Sequence, residues 1–364
     1  MSDQENPSLQ IPIPAGSAPP CRETVKDDID DSEDMPAAEP LHGILQHCQD
    51  ELLPTYRNVD GAAMDFQKKY RRRALSVAIL GSAAVVLATI QLSGLAYYVL
   101  PLSWTWFVPV LEGVTALLAM LIVLLGMGTS LKEQWLRARY KAESLRLLKF
   151  RFLFEPALWS ADPAEAQKCK ERLCDQVEDI ATTSFSALLG WMARGTLPEV
   201  HAPPPTGGLL TPDNLKALIH YYRSKRLHYQ MAYLSKAVRR DQGRDRHTRV
   251  VGPALFFGSV AFVLAHLAVE IGHGAEDWSR LLILIAAALP AMGAGFRIHR
   301  AATEFARNAA RFEAVHHTLS ALSERLRDAP DAPTVFRELG FCEQTFESDL
   351  REWMRLMVEA EWFG

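Results

Sequence analysis

Two apolar stretches of bilayer length, each bounded on one side by arginine or lysine, confine this chain to a membrane architecture. Ala74 to Leu92 carries no charge and follows Arg71, Arg72 and Arg73, while Phe107 to Leu131 carries only Glu112 and runs into Lys132. A helix needs roughly 20 apolar residues to cross a bilayer core, and both stretches reach that length. Between them, Ser93 to Trp106 contains no lysine or arginine. Positive charge marks the cytoplasmic side, so the pattern predicts a hairpin over about 74–93 and 107–131 with both ends inside. Trp104 and Trp106 would lie at the outer interface, where amphipathic rings are favoured.

The plan recurs in the second half. Pro212 to Arg249 is a basic helical approach with Arg223, Lys225, Arg226, Lys236, Arg239, Arg240, Arg244, Arg246 and Arg249. Val250 to Ile271 is a third span and Leu281 to Phe296 a fourth. The fourth is short, about 24 Å at the helical rise per residue, but Arg280 and Arg297 at its ends can snorkel. The expected fold class is therefore an all-α membrane protein: four transmembrane helices in two hairpins, with long cytoplasmic amphipathic or coiled-coil extensions. Mean hydropathy near zero conceals this, because the apolar residues are clustered. Residue identity between the halves is faint, so the repeat is one of plan.

The remaining segments read as soluble. Residues 1–40 are rich in Pro, Ser, Asp and Glu with few large apolar side chains, so disorder is expected. They lack the basic start and apolar core of a secretory signal. The run Asp27, Asp28, Asp30, Asp31, Glu33, Asp34 reads as a solvated leader or, more specifically, as a docking tail for a basic partner. Leu41 to Leu53 suggests a short helix stopped by Pro54, and Asp60 an N-cap for the next. Trp135, Ala138, Ala142, Leu145, Leu148 and Phe152 form a helical stripe that wants a partner. Asp162-Pro163 and Thr211-Pro212 each open a helix. A Pro/Gly linker at 195–211 separates a first unit, 41–194, from a second, 212–364. In the second, Ile298, Phe305, Phe312, Leu319 and Leu326 recur by sevens, a coiled-coil seam. An amphipathic helix over about 342–362 closes the chain.

Residues able to carry chemistry are few. No phosphate loop, nucleophile elbow or metal-binding histidine pair is present. The five cysteines have no ligand spacing, so reduced thiols are expected. Neither an enzymatic activity nor a cofactor or metal is expected. Depth counting places Glu112, Glu270 and His266 at the outer end of the spans. They are either a carboxylate ring at the mouth of an oligomeric pore or interfacial charges facing water, the more economical reading. Ala287, Ala291 and Gly295, like Ala78 and Ser82, stand at four-residue spacing and would let helices approach closely. The basic approaches lack aromatic interleaving, so anionic lipid headgroups suit them better than nucleic acid.

The first hairpin followed by Gln134-Trp135-Leu136-Arg137-Ala138-Arg139-Tyr140-Lys141-Ala142-Glu143-Ser144-Leu145-Arg146 resembles the SLATT family of bacterial two-span effectors. His220 to Arg226 and Glu347 to Trp353 resemble the corresponding parts of its four-span arrangements. The resemblance implies a pore-forming or membrane-perturbing effector of bacterial conflict systems in the inner membrane, homo-oligomeric and triggered by a nucleotide signal. No sensor domain is recognisable in the chain, so a cytosolic nucleotide-sensing partner protein would be needed. The competing expectation is a non-conducting scaffold whose helical stalk recruits soluble partners.

Overall fold

The computed structural model describes residues 27–92, 106–128, 130–194, 208–272, 276–303 and 305–359. Among these there is no strand, and the helices are long. The leader 1–26, the connector with Trp104, and most of the linker, 195–207, lie outside the described residues.

Four helices have the length and composition to cross a membrane, which makes this a multi-pass membrane protein. They belong to α2 (Leu53–Leu92), α3 (Phe107–Gly128), α8 (Tyr229–Ile271) and α9 (Glu276–Thr303). Packing runs α3 on α2, α2 on α9 and α9 on α8. In this row most apolar side chains of the spans stay uncovered by the chain, for example Leu117 and Leu125 of α3 and Phe257 and Leu264 of α8. At the contact of α2 with α9, a Cβ on Gly295 would lie 2.5 Å from Ser82 Oγ and 3.9 Å from Ala78 O. The two small-residue positions thus meet where backbones come closest. Ala291 is half-buried, whereas Ala287 is exposed and takes no part.

The other helices build one polar-surfaced domain. α1 (Leu41–Glu51) buries Leu41, Ile44, Leu45 and Cys48. Pro54 begins α2 instead of merely ending α1, because proline is tolerated in a first turn. The helix therefore already contains Asp60, which is no cap; it pairs with Arg139 at 3.2 Å. α4 (Leu131–Phe152) is followed by a 3-10 turn (Pro156–Trp159), α5 (Pro163–Thr182) and α6 (Phe185–Ala193). Asp162 and Thr211 cap α5 and α7 (Pro212–Tyr221) by accepting from Ala164 N at 2.9 Å and Asn214 N at 3.2 Å. A π-turn (Tyr222–His228) joins α7 to α8. α10 (Phe305–Arg327) and α11 (Ala332–Glu359) complete the chain. Asp331 caps α11 well before the start expected at Cys342.

Both halves share a core. Leu145 and Phe150 of α4 cluster with Leu173 of α5, Leu218 of α7, Leu319 and Leu326 of α10, and Leu339 of α11. The seven-residue seam is therefore used inside the chain: Phe305, Leu319, Leu322 and Leu326 are buried and Phe312 half-buried, with α10 on α8 and α11. The side chain of Ile298 lies outside the described residues.

Gly295→Leu should separate α2 from α9 and lower the melting temperature in detergent by several degrees, about 1–3 kcal/mol of overpacking. Ala287→Leu, at an exposed position, should leave it unchanged. Equal melting of the two variants would mean that Gly295 is no contact point.

Candidate functional site

The acidic run near the start of the chain is not simply a solvated leader: Glu33 and Asp34 are exposed, but Asp28 and Asp31 turn inward onto bonded partners. Asp28 and Asp31 are fully buried. Their partners come from sequence positions more than a hundred residues away. Arg226, in the π-turn, meets Asp28 Oδ2 at 3.1 Å and forks onto Glu343 of α11 through Nε at 3.0 Å and Nη2 at 2.9 Å. Tyr222 donates to the same Glu343 at 2.7 Å. The guanidinium lies between the rings of Phe150, 4.5 Å away, and Phe346, 4.1 Å away. Lys149 of α4 donates to the carbonyls of Asp28 and Ile29 and pairs with Asp31 at 2.7 Å. Tyr221 donates to Asp31 at 2.7 Å, and Lys225 reaches Asp34 at 3.2 Å. Arg146 completes the ring, 3.0 Å from Asp28 Oδ1.

Two local features place these groups. The π-turn widens the helix by one residue and directs both Lys225 and Arg226 inward, so neighbouring cations are buried together. Arg146 and Lys149, three residues apart, share a face of α4. Burial opposes ionisation of Asp28, but Arg146 and Arg226 outweigh it and hold its carboxyl below the usual range. Glu143 behaves alike: burial is overcome by Arg139 and Arg146.

Beside this clamp, toward the roots of the apolar helices, opens a cavity of about 1280 Å³ between α2, α4, α8, α10 and α11. Nine arginine and lysine side chains line it against five aspartates and glutamates, so its walls are net positive. Tyr70, Trp135 and Trp353 form an aromatic wall, with ring centroids 5.6 and 5.7 Å apart. Ala74 and Leu75, where the charge-free stretch begins, line the same space. Arg311 is nine-tenths buried and bonds Asp349 through Nη1 at 3.1 Å, while its Nε finds no acceptor. Burial pushes the Asp349 carboxyl up to about 6 despite Arg311.

The sequence candidates sort differently. His266 and Glu270 of α8 both meet Ser279 of α9: Ser279 Oγ lies 2.9 Å from His266 Nδ1 and donates to Glu270. Glu112 stands on α3, across the row, and among the described residues shares no hydrogen bond with that cluster. The basic approach divides between the clamp (Lys225, Arg226), the cavity (Arg239, Arg240, Arg244) and a pairing of Arg249 with Asp245 at 2.5 Å. The clamp was missed because no local signal marks it. Asp28 and Asp31, three residues apart, with paired cations at Arg146/Lys149 and Lys225/Arg226, were the available hint. Cys48, Cys169, Cys174 and Cys342 are free, and burial pushes Cys48 up to about 12.

Fold and site together define an all-helical, multi-pass membrane protein with a charge-clamped domain over a basic cavity. Residues 55–162, which include most of α2, all of α3 and α4 and the turn beyond, match the family model described as a protein of unknown function, DUF4231. No curated protein and no solved structure matches the chain.

Arg226→Ala should cost about 3–5 kcal/mol, because it leaves buried Glu343 without its cation and Asp28 with Arg146 as its remaining cation, measured by denaturation in detergent. Acid should act on the same clamp. Carboxyls held below their unfolded value of about 3.9 stabilise fully above it and lose that contribution as pH falls further. Pepsin should therefore begin to cleave within residues 27–40 only below about pH 4. Asp28→Asn should be cleaved there already at higher pH.

Proposed function

We propose that this protein is a membrane-perturbing effector. Copies assemble in a bacterial inner membrane into a conducting complex, with both termini and the charge-clamped domain on the cytoplasmic side. The observation supporting this reading is the row of spans, α3 to α2 to α9 to α8. A row has two flanks and no enclosed lumen of its own. Its uncovered apolar faces suit lipid and neighbouring copies alike, so a conduit arises only when copies close a ring. Basic residues at the roots of all four spans support an inside orientation for that end. The pore mouth would then carry Glu270, tethered through Ser279 beside His266, with Glu112 on the opposite flank supplied by the next copy.

The scaffold alternative needs a free seam on a protruding stalk. Burial of Leu319, Leu322 and Leu326 in the chain's own core removes that surface, which is why the effector is preferred.

Expression in bacteria should depolarise the membrane, read with a voltage-sensitive dye. Glu112→Gln with Glu270→Gln should reduce the depolarisation at equal membrane expression. Equal depolarisation in parent and variant would keep the pore and remove the carboxylate ring. An unchanged potential at high expression of the parent would overturn the effector reading in favour of the scaffold.

A further inference from the structure

We infer that the cavity binds a phosphate-bearing ligand, with the phosphate received by Arg71, Arg240 and Arg244. Three observations carry this. First, four of the cavity's five carboxylates are already committed: Asp60 and Glu143 to Arg139, Asp349 to Arg311, and Asp241 to Arg240 at 2.8 Å. Arg71, Arg240 and Arg244 line the same cavity, where the like charges of Arg240 and Arg244 bear on Arg71 and Asp241 opposes them. Arg240 already holds that Asp241. Among the described residues neither Arg71 nor Arg244 has an ion pair, and Arg244 lies over the ring of Phe305 at 5.7 Å. Second, Arg311, nine-tenths buried in the same wall, has an Nε without an acceptor. A cavity that gathers cations and leaves the buried Nε of Arg311 open is short of an anion. Third, guanidinium forks match phosphate oxygens in geometry and remain charged at any working pH.

The walls also describe the rest of the ligand. Met64, Ala74 and Leu75 offer an apolar side next to the cations, at the point where the charge-free stretch of α2 begins. The rings of Tyr70, Trp135 and Trp353 line the same cavity. A phospholipid with its phosphate on the arginines and its glycerol stem along Leu75 fits this arrangement. A soluble phosphate ester entering from the domain side shares the same recognition chemistry. The site does not depend on whether the spans conduct, so binding and depolarisation fail separately.

The test uses full-length protein reconstituted in nanodiscs of phosphatidylcholine, with or without phosphatidylglycerol. Native mass spectrometry reads retained lipid; quenching of tryptophan fluorescence reads titration with inorganic pyrophosphate. The variant is Arg71→Gln, Arg240→Gln and Arg244→Gln together. A control, Arg72→Gln with Arg297→Gln, removes membrane-level charge outside the cavity. Retention of phosphatidylglycerol by the parent and the control, weakened at least about tenfold in the triple variant, supports the site with a lipid as ligand. Pyrophosphate binding with the same loss, and no selective lipid retention, supports the site with a soluble ligand. If the parent binds neither probe, or the control loses as much as the triple variant, or the triple variant loses nothing, the proposal is overturned. Should the triple variant melt early in phosphatidylcholine alone, the single change Arg244→Gln, at an exposed side chain, carries the comparison under the same criteria.

Discussion

Arg226 is a cation almost without water, and both halves of the chain are arranged to make that tolerable. Desolvating a guanidinium costs several kcal/mol unless its donors are met and its charge opposed. Here Glu343 meets two of its nitrogens, Asp28 a third, and two aromatic rings cover its faces. Those partners come from the segment ahead of α1, from α4 and from α11, so Arg226 can be buried only when all of them are assembled together. A buried ion pair is a poor source of net stability compared with well-packed apolar groups. What it gives is exclusivity. A misassembled domain would leave charges unpaired in the interior, and that penalty separates the native arrangement from its competitors.

The same logic joins the domain to the spans. α2 runs unbroken from the clamp, where Arg57 holds Asp30 at 2.5 Å, to the small-residue contact of Ser82 with Gly295. α7, the π-turn and α8 likewise form one rod over Pro212–Ile271. Asp245 on that rod is buried between Arg249 and Arg300, tying α8 to α9 below the apolar segments. The second half therefore delivers Tyr221, Tyr222, Lys225 and Arg226 and its third span through one continuous helix, while Arg146 and Lys149 of the first half sit on α4, apart from the span of α2. A rearrangement at Arg226 has no loop along that rod in which to dissipate before it reaches the membrane level.

Much of this was legible in the sequence, and what was not has a physical reason. The four spans announce themselves because an apolar run of that length has no soluble use. The caps at Asp162 and Thr211 were readable because capping is a contract between neighbours. Asp60 misled because a good cap residue and a good ion-pair partner look alike, and only the proton donor 79 residues away at Arg139 distinguishes them. The heptad seam was real as an apolar stripe, but periodicity reports that a face is buried, not what buries it. The clamp was hidden most deeply. Its acidic segment has the composition of disordered chain, since its few apolar residues cannot offset ordering entropy. Beyond the nearer contacts of Asp30 with Gln49 and Arg57, its buried carboxylates are held by cations more than a hundred residues away, out of reach of any local pattern.

That long-range origin also bears on what the cavity is for. The clamp balances its charges closely; the cavity next to it does not, although the two share Arg146, Arg226 and Glu143. A fold able to seat Asp28 against two arginines has shown that it can supply carboxylates where cations are to be neutralised internally. Leaving Arg71 and Arg244 without one, at the root of α2 and α8, is then a feature of the site and not a shortage of acidic residues. An anion arriving there would bear on the two long rods at once, since Arg71 rides on α2 and Arg244 on α8. Its binding energy would be largest in whichever arrangement of the rods brings those guanidiniums together. That is the condition under which occupancy can bias the spans: differential affinity for two relative positions of helices that are each continuous into the membrane.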